Sequence, residues 1–259
     1  MLELKHIDKS FHKGTVNENQ LFKDFNLTIA KGDFVSIIGS NGSGKSTLLN
    51  LVCGSLSQDG GEIWMEGQRV DPLRDHQRYK RMGRVFQDPA MGTSPSMTLL
   101  ENLSMADNKN QSWGLRRGVN RDRLAAYRDL LAPLGLGLEN KLHDKVGGLS
   151  GGQRQAVALL MATLTPIDFL ILDEHTAALD PKTANIIMDL TDKIVRDKGL
   201  TALMVTHNLQ HSLTYGNRIL MMHEGQVILD KRDQAKKNLV LDEVLDQFYE
   251  ISIEAGNSI

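Results

Sequence analysis

Phe34-Val35-Ser36-Ile37-Ile38-Gly39-Ser40-Asn41-Gly42-Ser43-Gly44-Lys45-Ser46-Thr47 is the stretch that decides the fold. Residues 34–38 are a short apolar, β-rich run with glycine before and after it, the pattern of a strand buried in the middle of a sheet. Gly39 to Ser46 matches G-x-x-x-x-G-K-[ST] in full. Glycines at these positions let successive backbone N–H groups point at one phosphate, and the helix that follows adds the positive end of its dipole. Lys45 offers a cation to the β and γ phosphates, Ser46 a hydroxyl for Mg²⁺, and Thr47 continues the phosphate-binding turn. A glycine-rich loop alone signifies little. Here a strand precedes it and a helix-forming run follows over 46–52, which is the context the motif requires.

The rest of the chain fits an α/β protein built around that loop. Apolar residues alternate at Leu2, Leu4 and Ile7 and again at Phe25, Leu27 and Ile29, predicting strands; further strands are expected at 62–65, 68–70 and 84–86. Over 90–165 the strand signal fades and helical runs appear at 121–131 and 153–164, as in a helical subdomain inserted into an α/β core. Strand and helix then alternate again at 169–172, 182–197, 200–206, 218–222 and 226–229. The last pair flanks the turn His223-Glu224-Gly225, and an amphipathic helix is expected over 239–251. The polar stretch 111–118 reads as a surface loop.

Bulk composition narrows the function. The chain has 259 residues, is 41% hydrophobic and 24% charged, and carries a formal net charge of -2. That balance gives no electrostatic reason to expect nucleic acid. Cys53 is the single cysteine, so neither an intrachain disulfide nor a thiolate cluster is expected, and a reducing compartment fits. The N-terminus lacks the apolar core of a secretory signal. No apolar run approaches the roughly 18–20 residues of a membrane span, so a membrane role would need another chain.

Two further stretches carry chemistry. Leu149-Ser150-Gly151-Gly152-Gln153 opens a helix, with Ser150 and Gln153 at capping-box spacing. Two glycines in a first turn cost about 1 kcal/mol each relative to alanine, and a capped helix does not explain them; bare backbone at a helix N-terminus suits an approaching anion. Asp173-Glu174-His175 follows the apolar run 169–172, which places carboxylates at the carboxyl edge of a sheet, where α/β folds bind ligands. The cluster reads as Mg²⁺ held through Asp173 with Glu174 as general base, or as a metal-dependent hydrolase on Asp173, Glu174, His175 and His207, which would leave Gly39–Ser46 unexplained.

The order of Gly39 to Ser46, Gln87, Leu149 to Gln153, Phe169 to Glu174 and His207 resembles the nucleotide-binding subunit of ATP-binding cassette (ABC) transporters, up to about residue 230. The resemblance implies a P-loop NTPase core with an antiparallel β subdomain (about 1–89 and 166–235), a helical subdomain (about 90–165) and a helical tail (about 236–259). It implies ATP and Mg²⁺ as cofactors and a head-to-tail dimer in which the signature Ser150, Gly151, Gly152 and Gln153 of one copy closes over the ATP of the other. Gln87 then matches the glutamine that reaches Mg²⁺ or the lytic water, His207 the switch histidine at the γ-phosphate, Asp180 the loop along the dimer interface, and Phe11 the aromatic that stacks on adenine. Most members have proline where this chain has His175, so His175 is expected to be structural, bonded within its turn or across the dimer, and His175→Pro to retain ATPase activity.

Within the family, the stretch 83–89 with Gly92-Thr93 and Ser96-Met97-Thr98, the stretch 173–183, and Tyr215-Gly216-Asn217-Arg218 resemble bacterial ATPases of tryptophan/tyrosine-type uptake systems. That implies a separate permease, an extracytoplasmic binding protein, a place at the cytoplasmic face of the membrane, and import of a small solute such as an amino acid. The alternatives are an exporter ATPase or a non-transport ABC ATPase. The repair and ribosomal types of the latter would carry a long heptad insertion or two cassettes, and this chain has neither.

Overall fold

The computed structural model describes residues 2–111 and 118–254, with side chains described as far as residue 247. The chain opens with β1 (Leu2–Phe11), β2 (Asn19–Ile29) and β3 (Phe34–Gly39), followed by α1 (Lys45–Cys53), β4 (Gly60–Met65), β5 (Gln68–Arg69) and the short α2 (Asp75–Arg78). After β6 (Met82–Val85) come α3 (Leu99–Asp107), α4 (Leu124–Leu131) and α5 (Gly151–Thr163), then β7 (Phe169–Asp173) and α6 (Pro181–Lys198). It ends with β8 (Thr201–Val205), α7 (Leu209–Thr214), β9 (Arg218–His223), β10 (Gln226–Arg232), α8 (Asp233–Lys237) and α9 (Leu241–Glu254). Two compact units result: Met1–Tyr79 with Gly199–Ile259, and Lys80–Lys198.

In the first unit, β3 lies between β8 and β9, parallel to both, and β9 turns back antiparallel into β10. Every residue of β3 and β8 is buried, as continuous apolar runs in a parallel sheet require. The antiparallel sheet has the order β2-β1-β4-β5. Its inward residues Leu2, Leu4, Ile7, Phe25, Leu27 and Ile29 are those the alternation picks out. The tail helix α9 sets Val244 into a cluster with Ile38, Ile219, Met221 and Leu229, which accounts for its amphipathic sequence.

The second unit holds the parallel pair β6 and β7 and the helices. Leu99, Leu103, Tyr127, Leu131, Val146, Val157 and Ile187 share one core. The run expected as a helix over 121–131 begins with a 3₁₀ turn, Arg121–Arg123, before α4. The helix α3 has no counterpart among the sequence expectations. Its start was readable: Thr98 and Glu101 form a capping box in which each side chain accepts from the other residue's backbone N–H. Most of the polar stretch 111–118 lies outside the described residues.

Candidate functional site

The phosphate loop begins where β3 ends. Gly39 has φ 149°, and a Cβ there would stand 2.2 Å from the carbonyl oxygen of Met222, so no other residue fits against β9. Gly44, with φ 104°, is the N-cap of α1 and offers no side chain to cap the helix. The N–H groups of the first turn thus have no side-chain cap at the positive end of the dipole. Lys45 is buried and its Nζ donates to the carbonyls of Gly39 and Ser40, 2.8 Å each, which holds the ammonium over the loop. Ser43 is buried, Ser46 exposed and Thr47 half-buried. The hairpin between β9 and β10 braces the loop from outside, the Gly225 N–H donating to the carbonyl of Ser43 at 3.0 Å. Asn19, Gln20, Leu21, Ser40 to Ser43, His223 and Glu224 line a cavity of ≈ 590 Å³.

Two more expected residues lie in this unit. Phe11 ends β1 and pairs in register with Asn19, one of the cavity-lining residues. It is half-buried and outside the apolar core. His207 follows β8 in a tight turn and is exposed; the Asn208 N–H donates to Thr206 Oγ1 at 3.0 Å, and the Asn208 side chain caps α7.

The second unit contains the carboxylates. Asp173 ends β7, and its Oδ2 accepts from Arg84 Nη2 at 2.7 Å. The side chains of Arg84 and Asp173 are 9% and 18% exposed, so this is a nearly buried ion pair. The guanidinium also lies over the ring of Phe86, 4.7 Å from its centroid. Arg84 is placed by the β6–β7 register, in which it faces Ile171. Glu174 adopts a left-handed backbone, φ 48°, rare for a residue with a side chain and found most often where a site imposes it.

His175 departs from the expected turn or dimer contact. It is buried, and its Nε2 lies 3.1 Å from Thr191 Oγ1 on α6. The Thr191 hydroxyl donates to the carbonyl of Ile187 at 2.7 Å. Its single proton is therefore used, and Nε2 must be the donor to Thr191. Among the described residues no three His, Cys, Asp or Glu side chains form a metal cluster. The hydrolase reading on Asp173, Glu174, His175 and His207 finds no support.

Asp180, expected along a dimer interface, caps α6 within its own chain: its Oδ1 accepts from the Thr183 N–H at 3.1 Å. The Thr183 hydroxyl and then the Thr183 N–H hold the Asp180 carboxyl below the usual carboxylate range. The signature residues are also engaged locally. The capping box forms in both directions, with Gln153 N–H to Ser150 Oγ at 3.2 Å and Ser150 N–H to Gln153 Oε1 at 3.1 Å, and Gln153 Nε2 donates to the carbonyl of Leu136. A Cβ on Gly152 would meet Thr183 Cγ2 at 2.2 Å. Gly152 is thus required by packing against α6, a reason the sequence could not reveal. Gly151 has room for a methyl, and its bare backbone is the part of the signature that packing leaves unexplained.

Gln87, Gly151, Arg154, Gln155, His175, Ala178 and Leu179 are brought together around a cleft of ≈ 350 Å³, together with Asp88 and Pro89. The buried Gln155 fixes one wall, its Nε2 donating to the carbonyl of Phe86 at 3.1 Å.

A buried parallel strand, a glycine loop with an inward lysine and an uncapped helix define a P-loop NTPase. The particular family follows from the comparisons. The family profile described as ABC transporter matches residues 22–177. A tyrosine transport ATP-binding protein of Clostridioides difficile (strain R20291) is 47% identical over 248 residues, covering 96% of this chain and 98% of the relative. A lipoprotein-releasing system ATP-binding protein, LolD 1 of Caulobacter vibrioides (strain ATCC 19089 / CIP 103742 / CB 15), is 33% identical over 90% of this chain and 97% of its own. Among solved structures, the dimeric post-hydrolysis state of the ATP-binding cassette MJ0796 bound to ADP and Pi matches with a TM-score of 0.75 and 32% identity, covering 90% of this chain and 98% of that one. The chain belongs to the ABC transporter family and is an ATP-binding cassette subunit that binds and hydrolyses ATP. Among the described residues no helix is long and apolar enough to cross a membrane.

Proposed function

We propose that this chain drives uptake of a small amino acid-type solute, with tyrosine the first candidate, through a separate permease at the cytoplasmic face of the membrane. The observation that carries the reading is the 47% identity, nearly end to end, to a protein named for tyrosine transport, against 33% to one named for lipoprotein release. An extracytoplasmic binding protein would deliver the solute. Two copies would act as a head-to-tail dimer, with Gly151 and its signature neighbours meeting the partner's nucleotide.

The proposed roles follow the residues' chemistry. Lys45 and the loop N–H groups bind the phosphates, and Phe11 stacks on the base. Ser46, Gln87 and Asp173 would hold Mg²⁺: their donors are oxygens, and few, which suits an ion that keeps its waters and takes phosphate oxygens as ligands. When bound, the ion neutralises charge on the phosphates. Glu174 takes a proton from the water that attacks the γ-phosphorus while the β–γ bridging oxygen leaves with ADP; His207 contacts the γ-phosphate.

Uptake of labelled tyrosine by cells lacking the gene, with and without the intact chain, tests the solute. Uptake restored by the intact chain and not by Glu174→Gln is expected. Equal tyrosine uptake in the deletion strain would end the assignment.

A further inference from the structure

Lys9 and Phe11 stand two residues apart near the end of β1, where the pairing with β2 shifts register between Lys9 and Ser10. Lys9 Nζ lies 5.4 Å from the centroid of the Phe11 ring, within range of the ring's negative face. The ammonium is fixed there. It donates to the carbonyl of Ser57 at 2.8 Å and lies 3.8 Å from Asp59 Oδ1, and the Lys9 side chain is only 12% exposed. Asp59 in turn anchors the strand end: its Oδ2 accepts from the Ser10 N–H at 2.6 Å, its own N–H donates to the carbonyl of Asp8 at 2.8 Å, and Lys13 Nζ reaches its Oδ1 at 3.0 Å. The Ser10 N–H, with Lys13 and Lys9, keeps the Asp59 carboxyl below the usual carboxylate range.

A phenylalanine buried for packing is met by apolar groups. Phe11 is instead half-buried with a tethered cation against one face. We propose that Lys9 is the positioning residue of an adenine platform: its ammonium, tethered by Ser57 and Asp59, occupies one face of the Phe11 ring and presents the opposite face to the purine. The cation draws ring electron density toward itself, which makes the far face a better partner for an electron-rich base. This rests on the reading of Phe11 as the adenine-stacking residue.

Equilibrium binding of two probes, ATP and inorganic tripolyphosphate, to the full chain tests it with Lys9→Met, Lys9→Arg, Phe11→Ala and the double variant Lys9→Met/Phe11→Ala. Lys9→Met is expected to weaken ATP roughly two- to fivefold, the size of an exposed cation–ring contact, and to leave tripolyphosphate unchanged. Lys9→Arg keeps the cation and should keep the ATP affinity. In the Phe11→Ala background, Lys9→Met should have no further effect. Equal weakening of both probes would put Lys9 on the phosphates and overturn the proposal, as would an unchanged ATP affinity in Lys9→Met while Phe11→Ala weakens it. An unchanged ATP affinity in Phe11→Ala would remove the platform reading itself.

Discussion

Gly152→Ala separates the two reasons for glycine in the signature. The added methyl would lie 2.2 Å from Thr183 Cγ2. Thr183 cannot easily turn away, since a β-branched residue on a helix has few rotamers and its hydroxyl is bonded to Asp180. Overpacking of this kind costs about 1–3 kcal/mol, and replacing glycine in a helix returns at most about 1 kcal/mol. The net expectation is a loss of roughly 0.5–2 kcal/mol, read as a lower urea midpoint. Thr183→Ser removes the offending methyl and keeps the hydroxyl. The double variant Gly152→Ala/Thr183→Ser should therefore return to within about 0.5 kcal/mol of the wild type, the two substitutions being strongly non-additive as for residues in contact. ATPase activity of the double variant then tells whether Gly152 matters for more than packing. A Gly152→Ala variant as stable as the wild type would refute the packing argument.

Glu174→Gln is expected to bind ATP and to lower turnover about 10²–10⁴-fold, the usual contribution of a general base, with an ATP-dependent shift to a dimer on size exclusion. Near-normal phosphate release would count against its role. His175→Pro, harmless on sequence grounds, meets two costs in the structure: it loses the hydrogen bond to Thr191 and biases Glu174 away from its left-handed backbone. A loss of about 1–3 kcal/mol in urea unfolding is expected, with the Mg²⁺ dependence of hydrolysis intact. Arg84→Met leaves the Asp173 carboxylate nearly buried without its partner and should cost about 3 kcal/mol. Adding Asp173→Asn should recover part of that loss, and thermal unfolding of the three proteins would expose an error here.

Local signals were legible in the sequence, and long-range ones were not. The buried strand 34–38, the glycine loop with Lys45 and the Ser150–Gln153 box are each written in consecutive residues, and the structure has all three. The Thr98–Glu101 box that starts α3 is equally local, four consecutive residues long. By contrast, the Arg84–Asp173 pair joins residues 89 positions apart, and the His175–Thr191 bond links a turn to the next helix. Periodicity and motif spacing carry no information about such contacts, because they depend on which faces pack. Gly152 shows what local pattern leaves out. Its place in a first turn suggests close approach by an anion, and the fold adds a second demand on it, a threonine methyl from α6.

The bond from Gln155 to the Phe86 carbonyl has a consequence for local opening. A buried amide that loses its only acceptor pays the full cost of desolvation, so α5 cannot part from the end of β6 without that penalty. Residues 82–86 and 151–163 should then behave as one cooperative unit in amide hydrogen exchange, opening together and at the same free energy. Gln155→Leu would divide them into two, the strand end exchanging well before the helix.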